Sequence, residues 1–513
     1  MGLALAALVL WLEAASPVQA DGTVHCVNQT GTGCDAVCGG GCYPSVQAAV
    51  DAASEDHRIR IAGGTFGSGG TVAVITKSLW LEGGYITSCG THDPDLYHTV
   101  LDAQWGGSVV SMTNAGSVVL HILTLTRGDG TGNCGTDGCG GAVYAKDTNL
   151  HLGVSVITNN VGTITNTGFG GAIYSTGCSH YTEIWGNHIV SNTANATPSS
   201  DGFGYGGGIY IHCGPAYVSG NHIEGNLGHV SYHGQGGGLY LTSLTGGDVM
   251  TNVISGNKGT VNLINRDGSG GGMFLGNSTG VYVAANQIEY NWGNPKGPGY
   301  GAGLNIQSSE VHLARNTVFS NTNGDPQQAW VNPGGGIYIS NNSNRSITLT
   351  NNLVIRNRAS SHQGGGIDAI SYWPSTLNLL LINNTFADNY GYGLELERYV
   401  SASLTNNIVS GHSEGITTTT PASTTILADT NLFSNTVDLI VGTNTTLLDP
   451  RLTITYHLSA DSPAVDAGVP SGLASDVDGD ARPDGCFYDI GADEFHTGMG
   501  CNYVHLPLVL RSF

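Results

Sequence analysis

Asp368 and Glu395 are the residues of this 513-residue chain whose type and spacing best suit acid–base chemistry. Each closes a glycine-led pattern, Gly364-Gly-Gly-Ile-Asp368 and Gly391-Tyr-Gly-Leu-Glu395, and the two are 27 residues apart. On consecutive turns of a stacked repeat, strands lie ~4.8 Å apart, which brings the carboxyls near the ~5–5.5 Å separation of a retaining glycosidase. Crowding would raise one of the two pKa values, as an acid catalyst requires. The competing reading is two solvated polar residues replacing an aromatic near the end of an array.

Metal chemistry has a different address. Asp476, Asp478 and Asp480, with Asp484 further on, show the alternating oxygen spacing of a calcium loop, and Gly479 allows the turn. The distal glutamate of an EF-hand is missing, and an Asx-rich turn uses the same residues. His188 and His222 occupy equivalent positions of successive repeats, but no third ligand aligns with them, so two exposed imidazoles are expected.

Tyr144, Tyr174, Tyr210, Tyr240, Phe274 and Tyr338 hold the same repeat position as Asp368 and Glu395, with Asn305 among them. Stacked, these side chains form either a flat strip for sugar rings or an aromatic ladder that stabilises a sheet under long loops.

The positioning element is the repeat itself. Gly-Gly-Gly-Ile-Tyr or a variant recurs from Gly140 to Gly391, at steps of 30, 36, 30, 34, 31, 33, 30 and 27 residues. Between copies runs N-x-I/V-x-x-N, with asparagines always five apart, from Asn187/Asn192 through Asn221/Asn226 to Asn384/Asn389. Such periods mean stacked units. Triplets such as Ile209-Tyr-Ile211 alternate with period 2, as in a strand with one buried face. About 32 residues suit three short strands and three turns, one rung of a parallel β-helix, and are few for a four-stranded propeller blade. Seventy-nine glycines and 11% charged residues argue against helices. Glycine allows positive φ and close backbone approach, while the asparagines are expected at tight turns, tolerating the left-handed conformation and forming an internal ladder.

The G-G-G-I-Y and N-x-I-x-x-N elements resemble those of the bacterial right-handed parallel β-helix repeat proteins, over about 140–412. The resemblance implies an all-β, pectate-lyase-like solenoid and little about function. A second resemblance covers about 426–495. Ser462-Pro-Ala-Val-Asp-Ala-Gly468, Asp476-Val-Asp-Gly-Asp480, Arg482-Pro483 and Asp489-Ile-Gly-Ala-Asp-Glu-Phe495 are similar to the choice-of-anchor Q region of the same proteins. That implies an extracellular, surface-associated protein. The N-T-D, D-D, G-H-G and R-I-K motifs of polygalacturonan-cleaving β-helix hydrolases do not occur. Arg315, Arg356, Arg358 and Arg398 are available as bases for a lyase, but no cluster can be assembled from them.

Residues 1–20 read as a signal peptide, with an apolar run at 3–12 and a small-residue site ending at Ala20. Eleven cysteines favour an oxidising compartment. Cys178 and Cys213 fall at nearly the same place in successive rungs, Cys134 and Cys139 would close a small loop, and Cys486 and Cys501 would clip the tail. The pairing of Cys26, Cys34, Cys38, Cys42 and Cys89 stays open, one of the eleven being odd. Ser45-Val-Gln-Ala-Ala-Val-Asp-Ala-Ala53 has helical spacing and resembles the N-terminal cap of secreted β-helices. The expected organisation is therefore a signal peptide at 1–20, a Cys-rich segment at 21–43, a capped β-helix at 44–412, an irregular C-terminal region at 413–495 and a tail at 496–513.

A net charge of −22 argues against nucleic acid and anionic membranes as partners. No stretch is expected to span a membrane in the mature chain. The reading is a bacterial cell-surface or secreted protein that displays an elongated face for adhesion or glycan binding, without catalysis and with calcium as the one candidate ion. A polysaccharide lyase or glycosidase and a passive structural component are the alternatives.

Overall fold

The structure is a computed structural model. It describes residues 22–67, 69–198, 202–261, 267–295, 297–324, 333–359, 363–418, 420–434 and 442–496. The expected signal peptide, the tail after 496 and Cys501 lie outside the described residues.

The chain coils into an all-β parallel solenoid. One turn shows how residue type builds it. Ile209–Ser219 forms a strand that bends near Gly214, where φ is +78°. His222–Glu224 and Leu227–His229 follow, and a two-residue strand, Gly234–Gln235, leads into the next glycine triplet. Each segment pairs in parallel with its equivalent one turn on, giving sheets of 23, 13, 7 and 4 strands. Ile209, Ile211, Val218 and Ile223 point inward and are fully buried, and such residues run through the coil as one apolar core. The rung is thus more subdivided than three strands and three turns, because glycine makes extra corners.

Each glycine of the triplet has its own reason. Gly206 has φ +67°, which only glycine adopts freely. A Cβ on Gly207 would lie 2.4 Å from Gly237 O, and one on Gly208 2.7 Å from Gly238 O, so the next rung's backbone excludes side chains at both.

The asparagines form two ladders. In the first, Nδ2 of Asn221 donates to Oδ1 of Asn252 (3.0 Å), and the series continues through Asn286, Asn316, Asn352, Asn384 and Asn407 to Asn431. The second runs from Asn160 through Asn226 and Asn257 to Asn389. At the position after Asn389 the buried His412 presents Nε2 to Phe386 O at 3.1 Å, the carbonyl an asparagine would have taken. One expectation is corrected. The left-handed residue is the one before each ladder asparagine: Gly220 (+62°), Thr251 (+55°), Ala285 (+53°) and Arg315 (+55°). The asparagine itself stays on the ordinary side and turns its amide inward, where it satisfies corner backbone groups that would otherwise be buried unpaired.

Helix α1, Val46–Ala52, caps the first rungs. The Ser45 side chain accepts from Ala48 N, and Val46, Ala49 and Val50 are buried, as the spacing predicts. Disulfides join Cys26 to Cys38 and Cys34 to Cys42, leaving Cys89 buried and free. Cys134–Cys139 and Cys178–Cys213 pair as expected. Cys486 is disulfide-bonded.

The coil does not stop at 412. Glu414–Thr417, Thr425–Asp429 and Leu432–Ser434 continue the parallel register. Residues 449–496 then fold back over the outside of the last turns. Tyr456 and Ala492 pack on Leu353, Ile355 and Ala387, while Leu458, Ala464 and Ile490 pack on Ile408 and Leu432. Three left-handed asparagines dock this segment. Asn351 Nδ2 donates to Ser475 O (2.6 Å), Asn383 Nδ2 to Asp489 O (2.7 Å), and Asn406 Nδ2 to Val469 O (2.7 Å). Inside the segment, the buried Arg482 donates to Glu494 (2.8 Å) and to the carbonyls of Asp489 (3.2 Å) and Gly491 (2.7 Å). The C-terminal motif residues therefore build the segment's own polar core.

Candidate functional site

The column of outward side chains begins as a ring stack. Tyr144–Tyr174, Tyr174–Tyr210, Tyr210–Tyr240 and Tyr240–Phe274 lie 5.6, 5.3, 5.2 and 4.4 Å apart and within 10° of parallel. Each inner ring has both faces taken by neighbours. A second tier packs across them: Phe169 meets Tyr210 at 73°, Tyr205 meets Tyr240 at 61°, and Tyr300 meets Tyr338. Tyr210, Phe274 and Tyr338 keep only 9%, 4% and 7% of their surface exposed. Of the two arrangements the sequence allows, a flat strip and an aromatic ladder, the ring stacking has the form of the ladder, which holds the sheet together.

Beyond the aromatics the same column turns acidic. Tyr338 pairs with Asp368 and Asp368 with Glu395, so the two carboxylates stand on adjacent rungs in the expected register. Glu397, in the turn just after that strand, joins them, and one oxygen from each of the three lies within 4.8 Å of the other two. Asp368 has no exposed surface, and neither of its oxygens has a hydrogen-bond donor among the described residues. Glu395 Oε2 accepts from Gly364 N at 3.0 Å. Burial, then the charges of Glu395 and Glu397, holds the Asp368 pKa well above the usual carboxylate range. Burial and the Glu397 charge push Glu395 up to about 7, with Glu414 adding to the repulsion. Among the described residues, Arg398 offsets this by acting on Glu397.

Beside the cluster, Tyr372 and Trp373 stand out from the surface, 45% and 77% exposed. The Arg398 guanidinium lies 5.8 Å from the Tyr372 ring centroid, and Ser371 N donates to Arg398 O at 3.1 Å, which ties this corner to the turn carrying Glu397. Burial, and then the neighbouring Tyr372, raises the Tyr338 phenol pKa. An exposed aromatic pair, a cation and recessed carboxylates thus meet at one place on the coil.

The other predicted residues lie elsewhere. Asp476, Asp478 and Asp480 come together, but Asp476 Oδ1 accepts from the backbone N–H of Asp478, Gly479 and Asp480 at 2.8–2.9 Å, which is an Asx-type turn. Asp484 lies instead beside His496. His188 and His222 face each other at 5.3 Å, and His222 Nε2 lies 3.5 Å from Glu224 Oε2.

Sequence reasoning missed Glu397, Tyr372 and Trp373, which lie outside the repeat motifs, and the alternation Glu395-Leu-Glu397 was the available signal. It also missed an open cleft of about 500 Å³ where the C-terminal segment meets the coil, lined by Glu289, Arg315, Phe319, Tyr456, His457 and Asp478. There Asp478, 2.8 Å from His457, raises the imidazole pKa to about 9.

Residues 230–374 match the family described as a right handed beta helix region. No curated protein matches the chain. Among solved structures, the crystal structure of pectate lyase Pel9A is similar, at 13% identity over 92% of this chain and 96% of that one, with a TM-score of 0.42. The fold class is a right-handed parallel β-helix. No helix among the described residues is long and apolar enough to cross a membrane.

Proposed function

We propose that this is a secreted or surface-associated β-helix protein that binds a glycan without cleaving it, and that the contact lies at Tyr372, Trp373 and Arg398. The observation that carries this reading is the exposure of two adjacent aromatic side chains, with a guanidinium and carboxylates beside them. Apolar ring faces with a few convergent polar groups are what sugar recognition uses. The disulfides favour an oxidising compartment, and the resemblance of 426–495 to a choice-of-anchor Q region favours surface association.

Cleavage by Asp368 and Glu395 is the second reading, favoured by their register and the raised pKa of Glu395. Against it, a carboxyl with no exposed surface cannot reach a glycosidic oxygen, and a candidate acid must come within hydrogen-bond reach of its substrate.

The test is a polysaccharide panel on the purified chain, scored for binding and for reducing or unsaturated ends. Binding without product is expected. Tyr372→Ala with Trp373→Ala should weaken it by about tenfold or more, the loss of two stacking contacts. Product formation abolished by Asp368→Asn would replace the binding reading with an enzyme.

A further inference from the structure

We propose that Asp368, Glu395 and Glu397 hold a calcium ion on the outer face of the last full turns of the coil. The geometry comes first. Three carboxylate oxygens from two adjacent rungs and a turn lie within 4.8 Å of one another. Calcium binds oxygens at about 2.3–2.6 Å, so ligands on opposite sides of one ion are separated by roughly that span. Asp368 is the second observation, because its carboxylate is fully buried, contributes an oxygen to this space, and has no hydrogen-bond partner on either oxygen among the described residues. Buried polar groups are almost always satisfied, and an unpaired buried charge is costly.

Electrostatics agrees. Asp368, Glu395 and Glu397 are crowded together, Glu414 repels Glu395, and among the described residues Arg398 is the cation that opposes them. Such a group has two ways to be neutralised: protons on the acids, or a bound cation. The ligands are all oxygens, and they come from two strands and a turn. This suits calcium, with its loose coordination, better than magnesium, which demands a near-octahedral shell rich in water. Glu397, only half-buried, leaves a way in. The acidic turn at Asp476 differs because its backbone N–H groups already occupy the carboxylate.

The site owes nothing to the glycan reading, and a silent glycan panel would leave it standing. The experiment uses the mature chain stripped with chelator and assayed at about pH 8, where protons compete less for these acids than at neutral pH. Terbium luminescence sensitised by the nearby tyrosines, displaced by calcium chloride, reports occupancy, and thermal unfolding with and without calcium reports linkage. Saturable binding is expected at or below the ~0.1–1 mM range of extracellular calcium modules. Glu397→Gln, at the half-buried position and the mildest variant, should weaken it by about tenfold or more, and Asp368→Asn with Glu395→Gln should remove it. Asp478→Asn with Asp480→Asn should leave it unchanged. Unaltered binding in Glu397→Gln, or no binding by a folded wild-type chain at ~10 mM calcium, would overturn the proposal in favour of protonated carboxyls.

Discussion

A single ladder asparagine shows how much one side chain can carry. Asn257 Nδ2 donates to Ile223 O (2.8 Å) and to Asn291 Oδ1 (3.1 Å), and its Oδ1 accepts from N (2.9 Å) and Nδ2 (3.0 Å) of Asn226. Asn257→Ala strips all four while Ile223 O and the Asn226 groups remain buried. A loss of about 2–5 kcal/mol is expected in denaturant unfolding, well above a typical surface substitution. Glu395 offers a second test at this scale. Its folded pKa is raised, from 4.5 to about 7, so between those values the folded state binds more protons than the unfolded one. Stability is therefore lost as pH rises through this window, by on the order of 3 kcal/mol. In chelator, the wild type should lose this amount relative to Glu395→Gln between about pH 4.5 and pH 7 in urea titrations, and calcium should flatten the difference. A slope that is identical in both proteins would contradict it.

At the scale of elements, the last turns differ from the rest. Strands such as His222–Glu224 and Gln287–Glu289 turn polar side chains to solvent, whereas Leu353–Ile355, Thr385–Ala387 and Ile408–Ser410 are buried throughout. The C-terminal segment supplies the cover, so a chain ending after Ser434 would expose Leu353, Ile355, Ala387, Ile408 and Leu432 as one apolar patch. That truncation should bind an apolar dye and self-associate in size-exclusion chromatography. A monomeric, dye-silent product would mean the segment is dispensable. The repeat was legible in the sequence because its glycines and asparagines answer to backbone geometry that every turn shares. The docking of 449–496 was not, because its contacts join residues about a hundred positions apart, as from Asn383 to Asp489 and Gly491. A trace was present in the doublets Asn351-Asn352, Asn383-Asn384 and Asn406-Asn407: the second residue feeds the ladder and the first reaches outward.

For the whole molecule, the candidate site lies where the repeat decays. Tyr338, Asp368 and Glu395 succeed one another in one column, so the change from aromatic to acid was readable once the register was assumed. Burial was not readable: Asp368 reads as a solvated end residue and is fully enclosed. Glu397 sits outside the motif and reaches the cluster from a turn.

The three docking asparagines also make the C-terminal segment a ruler. Asn351, Asn383 and Asn406 sit at the same corner of three consecutive turns, and the segment meets them at Ser475, Asp489 and Val469 with a spacing set by its own internal network. Upstream, a turn can be duplicated or lost with little more than a change of length, since each rung touches only its neighbours. Between 351 and 406 a gained or lost turn would put the measuring segment out of step. Growth by repetition is therefore open over most of the coil and closed at this end.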